Sequence, residues 1–214
     1  MIHSFREYLI AIADKHPLLN IWSLINSPKL FFVVNNPIKF IIYLLKNPKE
    51  PFKISVNTPI GRIKIEVKNR ATAQVFYSLF IREDYKVKNT SKNFIDIGSN
   101  IGLSALYFLS RNRENRIITI EPDPNNINFL INNLDQEKFQ GRFKIIQKAI
   151  SINKGNERFA ISLNGIKSSL LASDERISAM REVNNFRNIL EVETITFEDF
   201  MRNSSIFDPT LPIV

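Results

Sequence analysis

The sequence predicts an α/β fold built on a parallel sheet, and the observations that predict it lie between Asn93 and Asp123. A short apolar strand ends in Asp96, a glycine-containing turn follows, and an amphipathic helix leads to a second apolar strand that ends in Glu121. Two parallel strands joined by a helix place the first turn and the tip of the second strand side by side at the carboxyl edge of the sheet, where α/β folds bind ligands. A nucleotide-like ligand is therefore expected at this edge.

The turn itself favours a cationic ligand over a dinucleotide. A dinucleotide-binding turn needs a second glycine so that the backbone can touch a pyrophosphate, and Asn100 stands at that position. Asp96, two residues before Gly98, would also repel a phosphate. S-adenosylmethionine suits both strand-end carboxylates, because its ammonium can contact Asp96 and its ribose diol can contact Glu121. The alternative is a turn whose polar side chains only cap backbone groups.

Several motifs resemble those of FkbM-type S-adenosylmethionine-dependent methyltransferases. They are F-I-D-I-G-S-N-I-G from Phe94 to Gly102, E-P-D-P from Glu121 to Pro124, T-P-I-G from Thr58 to Gly61, Tyr85, K-A-I from Lys148 to Ile150, and V-E-T-I-T-F-E-D-F from Val192 to Phe200. The resemblance covers about Lys53 to Val214. It implies a Rossmann-like class I methyltransferase fold with a doubly wound sheet. It also implies S-adenosylmethionine as cofactor and O-methylation of a hydroxyl on a small-molecule or glycan acceptor, such as a sugar or a secondary metabolite.

The predicted cofactor site follows from the turn, the two strand ends and the resemblance. Gly98 and Gly102 would let the backbone turn tightly and approach the ligand. Asp123 could contact the adenosine edge, although an aspartate before a proline at a helix start favours an N-cap. The resemblance places Ala149 against the adenine. The full predicted set is Asp96, Gly98, Ser99, Asn100, Gly102, Glu121, Pro122, Asp123 and Ala149. No catalytic residue is assigned.

Composition argues against two other classes of site. The chain has no cysteine, and its two histidines, His3 and His16, lie far from the central motif, so a metal site is not expected. The net charge is +8, but the basic residues are scattered and lack the interleaved aromatic residues of RNA-binding strands. Nucleic acid is therefore not expected as a partner. A solvated basic surface or attraction to an anionic membrane explains the charge better.

Residues 1–52 are predicted to form a helical N-terminal extension to a methyltransferase domain at 53–214. Five prolines divide the extension into short helices, several of which begin with Ser-Pro or Asn-Pro. The apolar stretch from Phe31 to Leu45 falls short of the roughly 20 apolar residues that span a membrane. The start of the chain lacks the pattern of a secretory signal, so a cytoplasmic protein is expected. The extension could pack against the domain, dock peripherally on a partner or on the inner face of the membrane, or remain loose.

The remaining segments alternate between strands and helices. The patterns predict a hairpin from Lys53 to Val67, a helix from Ala71 to Phe80, strands at Phe143–Gln147, Glu157–Ser162 and Val192–Phe197, and a polar helix from Ser173 with Phe186 facing inward. Tyr85, Ser168 and Ser169 could border the ligand or serve only the fold. The family resemblance predicts further strands that this chain does not contain. Two alternatives to a methyltransferase follow: a catalytically incomplete docking protein, and an NAD-dependent enzyme, which Asn100 disfavours.

Overall fold

The structure, a computed structural model, describes residues 27–46, 50–86, 93–162, 168–170 and 186–203. The helices are α1 (Pro28–Val33), α2 (Pro37–Lys46), α3 (Arg70–Phe76), which continues into a π-helix (Tyr77–Arg82), α4 (Leu103–Leu109), α5 (Pro124–Leu134) and α6 (Phe197–Asn203). The strands are β1 (Phe52–Thr58), β2 (Gly61–Val67), β3 (Asn93–Ile97), β4 (Arg116–Ile120), β5 (Phe143–Ile146), β6 (Ala149–Ser151), β7 (Gly155–Ser162), β8 (Ser169–Leu170) and β9 (Phe186–Thr196).

A three-stranded parallel sheet forms the centre of the fold, with the strand order β3-β4-β5. Helices α4 and α5 make the two crossovers, as the alternation of apolar strands and amphipathic helices predicts. Asp96 pairs in register with Thr119, one residue before the end of each strand. The carboxyl ends of β3 and β4 therefore meet at one edge. The predicted α/β fold with a parallel sheet is confirmed.

Apolar side chains cover both faces of this sheet, because successive residues of a strand point to opposite sides. Phe94 packs on the α4 side, where its ring stacks on that of Phe108 with a centroid distance of 4.4 Å. Ile95 and Ile118 point to the other face and share a cluster with Phe200 of α6. Helices on both faces are the arrangement expected of a doubly wound sheet.

A second, four-stranded sheet has the order β6-β9-β7-β8. Most of the predicted helix from Ser173 lies outside the described residues, but its last part is a strand, because β9 begins at Phe186. Residues Asn188–Glu193 pair antiparallel with Asn156–Ile161 of β7. The expectation of a helix at Phe186 is therefore wrong. Pairing between distant segments decides this region, and local sequence does not report it.

The described part of the N-terminal extension packs on the rest of the chain. Its helices begin at Pro28 and Pro37, as the Ser-Pro and Asn-Pro dipeptides predict. Phe40 is fully buried, and its ring meets that of Phe76 edge-on at 5.3 Å. The ring of Tyr43 stacks on that of Phe52 at 4.7 Å. One contiguous apolar core includes the extension, the hairpin, α3, α4 and α5. The domain boundary at residue 52 stays a prediction.

The β1–β2 hairpin is tied to α5, and to the residues just after it, by amide side chains. Asn133 accepts a hydrogen bond from the backbone N–H of Glu66 at 2.7 Å and donates to the carbonyl oxygen of Ile101 at 2.8 Å. Gln136 bonds both backbone groups of Lys64. These contacts satisfy the open edge of β2 and link the hairpin to the turn after β3. The hairpin thus helps to fix the position of the functional edge.

The N-terminus of α3 provides a first testable prediction. Asn69 caps this helix by accepting a hydrogen bond from the backbone N–H of Thr72 at 3.0 Å, and the Thr72 hydroxyl accepts in return from the N–H of Asn69. Asn69→Ala is expected to lower the free energy of unfolding by about 1–2 kcal/mol, because the helix loses a capping box. Urea denaturation measures the loss. Gln74→Ala, on the exposed side of the same helix, is the control and should change stability by less than about 0.5 kcal/mol.

Candidate functional site

The candidate site lies at the carboxyl edge of the parallel sheet, where the β3–α4 turn meets the end of β4. The turn is held against β4 because the backbone N–H groups of Gly98 and Ser99 both donate to the carbonyl oxygen of Ile120, at 2.8 and 3.1 Å. The Ser99 hydroxyl donates to the carbonyl oxygen of Asp96 at 2.8 Å and accepts from the N–H of Ile120 at 3.2 Å. These bonds make the turn a rigid support for the side chains at the strand ends.

Asp96 places a carboxylate at the end of β3. The side chain is half-buried, and the hydroxyl of Ser104, in the first turn of α4, donates a short hydrogen bond to Oδ2. Burial raises the pKa of the Asp96 carboxyl above its ordinary value, and hydrogen bonds from Ser104 and Ser99 offset part of that rise. A desolvated carboxylate without a nearby cation gains strongly from a cationic ligand.

Glu121 places a second carboxylate at the end of β4. Its Oε2 accepts from the backbone N–H of Asn100 at 2.7 Å, and its Oε1 accepts from the N–H of Asp123 at 3.0 Å and from the side-chain amide of Asn126 at 3.3 Å. Burial raises the pKa of Glu121, and the hydrogen bonds from Asp123, Asn100 and Asn126 counteract it. A carboxylate has about four lone-pair sites, so these three bonds leave Oε2 able to accept one more donor.

Asn100 connects the two strand ends. Its backbone has a φ of 51°, in the left-handed region that asparagine tolerates better than most residues. Its Oδ1 accepts from the N–H of Ile101 at 2.9 Å, while its own N–H points to Glu121. The residue that replaces the second glycine of a dinucleotide-binding turn therefore has a structural role of its own.

Two cavities open at this edge and share the turn. The larger, of about 780 Å³, lies between Asp96 and the helical segment formed by α3 and the π-helix, and its lining includes Ser104 and Tyr85. The smaller, of about 330 Å³, contains Glu121 and a mostly apolar wall. That wall includes Ile120, Pro122, Ala149, Ile150, Phe159 and Leu170. Ile97, Gly98 and Asn100 line both cavities.

Gly98 marks the junction of the cavities. Its φ is 78°, and a Cβ added to it would meet no atom within 4 Å, so the backbone faces open space. Because a side chain there would extend into that space, glycine leaves room for a ligand to cross between the cavities. A long ligand with a charged end and an apolar end fits this connected shape.

Two predicted residues lie behind the cavity walls. Gly102 has a φ of 81°, and an added Cβ would come within 2.4 Å of Cδ1 of the buried Leu130, so its lack of a side chain lets α4 pack on α5. Asp123 is fully buried, and its Oδ1 caps α5 by accepting from the N–H of Asn125 at 2.9 Å. The N-cap expected at Asp123 is confirmed. Both residues build the support of the site and line neither cavity.

Two residues that sequence reasoning did not select also belong to the site, since Ser104 holds Asp96 and Asn126 holds Glu121. Ser168, for which the sequence leaves a ligand contact and a loop role open, lines the smaller cavity and accepts from the N–H of Ser162 at 3.1 Å. The first turn of a helix that follows a βα turn lies near the strand end, so the position of Ser104 carried a usable signal. Asn126 carried none, because an asparagine in a first helical turn has many other roles.

Two kinds of feature are absent from the described residues. Within that part of the chain, no group of three or more His, Asp or Glu side chains could hold a metal ion. None of the described helices is long and apolar enough to cross a membrane.

Comparison with known proteins gives one family match. The profile of the methyltransferase FkbM domain matches residues 96–210. No curated protein matches the sequence. Among solved structures, the chain is similar to a methyltransferase FkbM from Methylobacillus flagellatus, with 18% identity and a TM-score of 0.36 over 58% of this chain and 26% of that one.

Two other similar structures come from Pyrococcus horikoshii. A candidate transferase shares 18% identity with a TM-score of 0.34 over 48% of this chain and 37% of that one. A candidate RNA methyltransferase shares 22% identity with a TM-score of 0.26 over 40% of this chain and 39% of that one. The chain thus spans between about a quarter and two fifths of the length of these three structures.

Proposed function

This chain belongs to the methyltransferase FkbM domain family, and we propose on that basis that it binds S-adenosylmethionine and methylates a hydroxyl group. The family profile covers more than half of the 214 residues, including both strand-end carboxylates of the site. The observation that carries the proposal is the pair of adjoining cavities, one containing Asp96 and the other Glu121, which meet at the open backbone of Gly98. The expected acceptor is a sugar, a glycan or a secondary metabolite, and the expected location is the cytoplasm.

The residues at the two cavities fit the parts of S-adenosylmethionine. Asp96 would hold the ammonium of the methionine part, since this desolvated carboxylate has no cation beside it in the described structure. Glu121 would accept from the ribose diol through the remaining capacity of Oε2. Pro122, Ala149 and the other apolar residues of the smaller cavity would contact the adenine. These contacts would hold the cofactor at both ends, and Gly98 and Asn100 would lie beneath its centre.

The residues of this chain contribute positioning to the proposed reaction. When bound, S-adenosylmethionine supplies an electrophilic methyl group, and methyl transfer depends mainly on holding the acceptor oxygen in line with it. Asp96 and Glu121, fixed by Ser104, Asn126 and the backbone of Asn100, would hold the cofactor at both ends. The larger cavity leaves space beside Asp96 for an acceptor. We propose no catalytic base among the described residues.

Calorimetric titration tests the cofactor. The 214-residue chain is expected to bind S-adenosylhomocysteine with micromolar affinity and to bind NAD⁺ much more weakly, because Asp96 repels a pyrophosphate. The Asn100→Gly variant restores the second glycine of a dinucleotide-binding turn and should gain no NAD⁺ affinity. If NAD⁺ binds more tightly than S-adenosylhomocysteine, or if Asn100→Gly creates tight NAD⁺ binding, the site belongs to a different ligand class.

A docking function without catalysis is the second candidate. The observation that favours it is the outward apolar face of α2, which no described residue covers. A folded protein that binds no S-adenosylhomocysteine but retains a surface partner would support this candidate. Binding of S-adenosylhomocysteine together with methyl transfer to an added sugar acceptor would reject it.

A further inference from the structure

We propose that α2 docks this protein on an anionic lipid surface. The proposal does not depend on the methyl transfer proposed above, because it rests on a different part of the chain. Three observations support it: an apolar stripe that faces away from the protein, lysines along the border of that stripe, and a small cavity with two lysines at the start of the helix.

Helix α2 is apolar on two opposite faces. Its inner face buries Phe40, Tyr43 and Leu44 against the domain. Its outer face carries the residues that we call the outer stripe, Ile38, Ile42 and Leu45. They follow each other at intervals of four and three, which places them on one side of a helix. Their exposed fractions are 67%, 43% and 48%.

The exposure is concentrated in this part of the molecule. Ten large hydrophobic residues are conspicuously exposed among the described residues, and five of them lie between Phe31 and Leu45. Two belong to α1, where Phe31 is 49% and Phe32 77% exposed. Single exposed apolar residues are common on soluble proteins, whereas a concentration of them indicates an interaction surface.

The charge of the segment selects an anionic surface as the partner. Residues 15–49 contain five lysines and no acidic residue. Lys39 and Lys46, one residue after Ile38 and Leu45, lie seven apart and border the stripe on the same side. Among the described residues, no carboxylate lies within salt-bridge distance of either lysine. Lysine ammonium groups reach lipid phosphates while their methylene chains stay among apolar side chains.

A concave site next to the stripe suits a phosphate headgroup. A cavity of about 200 Å³ lies at the first turn of α2, and its polar lining consists of Asn36, Lys39, Lys53 and Ser55. Lys39 and Lys53 therefore both line a space beside the first turn of the ten-residue helix, whose N-terminal end carries partial positive charge. An amphipathic helix with aromatic and aliphatic residues on one face and lysines at its border lies in the interface of an anionic membrane.

Flotation of the 214-residue chain with vesicles tests the proposal. The protein should float with phosphatidylcholine vesicles that contain one quarter phosphatidylglycerol, and much less with pure phosphatidylcholine. An Ile42→Glu/Leu45→Glu variant should partition at least about tenfold less well, because it places charge in the apolar face. A Lys39→Gln/Lys46→Gln variant should lose roughly 30-fold in partition, at about fivefold for each lysine. High salt should weaken the wild-type binding.

The control is Ile152→Glu, which adds one glutamate, half the charge of the stripe variant, at a 90% exposed isoleucine in a turn outside the extension. Its partition should equal that of the wild-type protein. Equal flotation of all variants would overturn the proposal. The proposal would also be overturned if the wild-type protein bound no vesicles and the stripe variant melted at a lower temperature. The chain itself would then cover the stripe. A wild-type dimer that the stripe variant dissociates, again without vesicle binding, would assign the stripe to a second copy. If inorganic phosphate bound at the cavity while the protein bound no vesicles, a lipid surface would also be rejected.

Discussion

Asp96→Asn is expected to weaken binding of S-adenosylhomocysteine roughly 100-fold at neutral pH, because truncating one partner of a desolvated charge pair costs a few kcal/mol. Asparagine keeps the size of the side chain and can still accept the hydrogen bond from Ser104. The change therefore removes the negative charge that would face the ammonium and little else. Titration calorimetry of the two proteins measures the ratio.

Asp84→Asn provides the matched control in the same cavity. Asp84 also lines the larger cavity, but it lies on the surface and is paired with Arg82. Its contribution to affinity should be less than about fivefold, since exposed ion pairs contribute at most about 1 kcal/mol. An equal loss in both variants would show that any negative charge near the cavity suffices. The specific role of Asp96 would then be lost.

The stability of the free protein and its affinity for S-adenosylhomocysteine should change with pH in opposite directions. Burial raises the pKa of Asp96 in the folded protein above its ordinary value of about 3.9, so the folded state holds the proton more tightly than the unfolded state. The contribution of this group to stability is fully present below the ordinary pKa and is lost as the pH rises through the raised pKa. Affinity for the ammonium of S-adenosylhomocysteine should rise over the same interval, because the carboxylate becomes charged. Both the loss of stability and the gain in affinity with rising pH should be smaller in Asp96→Asn.

Much of this site could be predicted from the sequence, because its carboxylates lie at the ends of strands. An apolar run that ends in an acid, repeated after one helix, defines where Asp96 and Glu121 lie once the strands are parallel. The register of β3 and β4 brings the two strand ends to the same edge, as this reasoning requires. The order of elements from β1 to β5 could be predicted for the same reason, since each has a clear hydrophobic period.

Other features depend on directions in space that a sequence does not contain. The pattern treats Gly98 and Gly102 alike, but one faces open space and the other faces Leu130. The three donors to Glu121 come from a turn, a strand end and a helix, and only the assembled fold brings them together. Strand β9 is not apparent from local sequence, because its partner, β7, is separated from it by more than twenty residues.

The two glycines of the turn provide the sharpest test of the difference between what the sequence pattern predicts and what only the folded structure shows. Gly98 and Gly102 have nearly equal φ angles, 78° and 81°, so alanine meets the same backbone penalty of about 1–2 kcal/mol at either position. Only Gly102→Ala also pushes a Cβ to within 2.4 Å of Leu130, which is fully buried and cannot move into solvent. Its total loss of unfolding free energy is therefore expected to be about 2–4 kcal/mol, with overpacking as the added cost.

For ligand affinity the order should be reversed, with the larger loss in Gly98→Ala. Gly98→Ala places a methyl group where the two cavities meet, so affinity for S-adenosylhomocysteine should fall at least about tenfold while stability falls only by the backbone penalty of about 1–2 kcal/mol. Folded Gly102→Ala should bind within about threefold of the wild-type protein, because its methyl group lies behind the cavity wall. Urea denaturation and calorimetry on the same samples give both quantities. A Gly102→Ala/Leu130→Ala double variant should lose less stability than the sum of the single variants, because the second change makes room for the added methyl group. Equal stability losses at the two glycines would mean that strain in the turn outweighs the contact between α4 and α5.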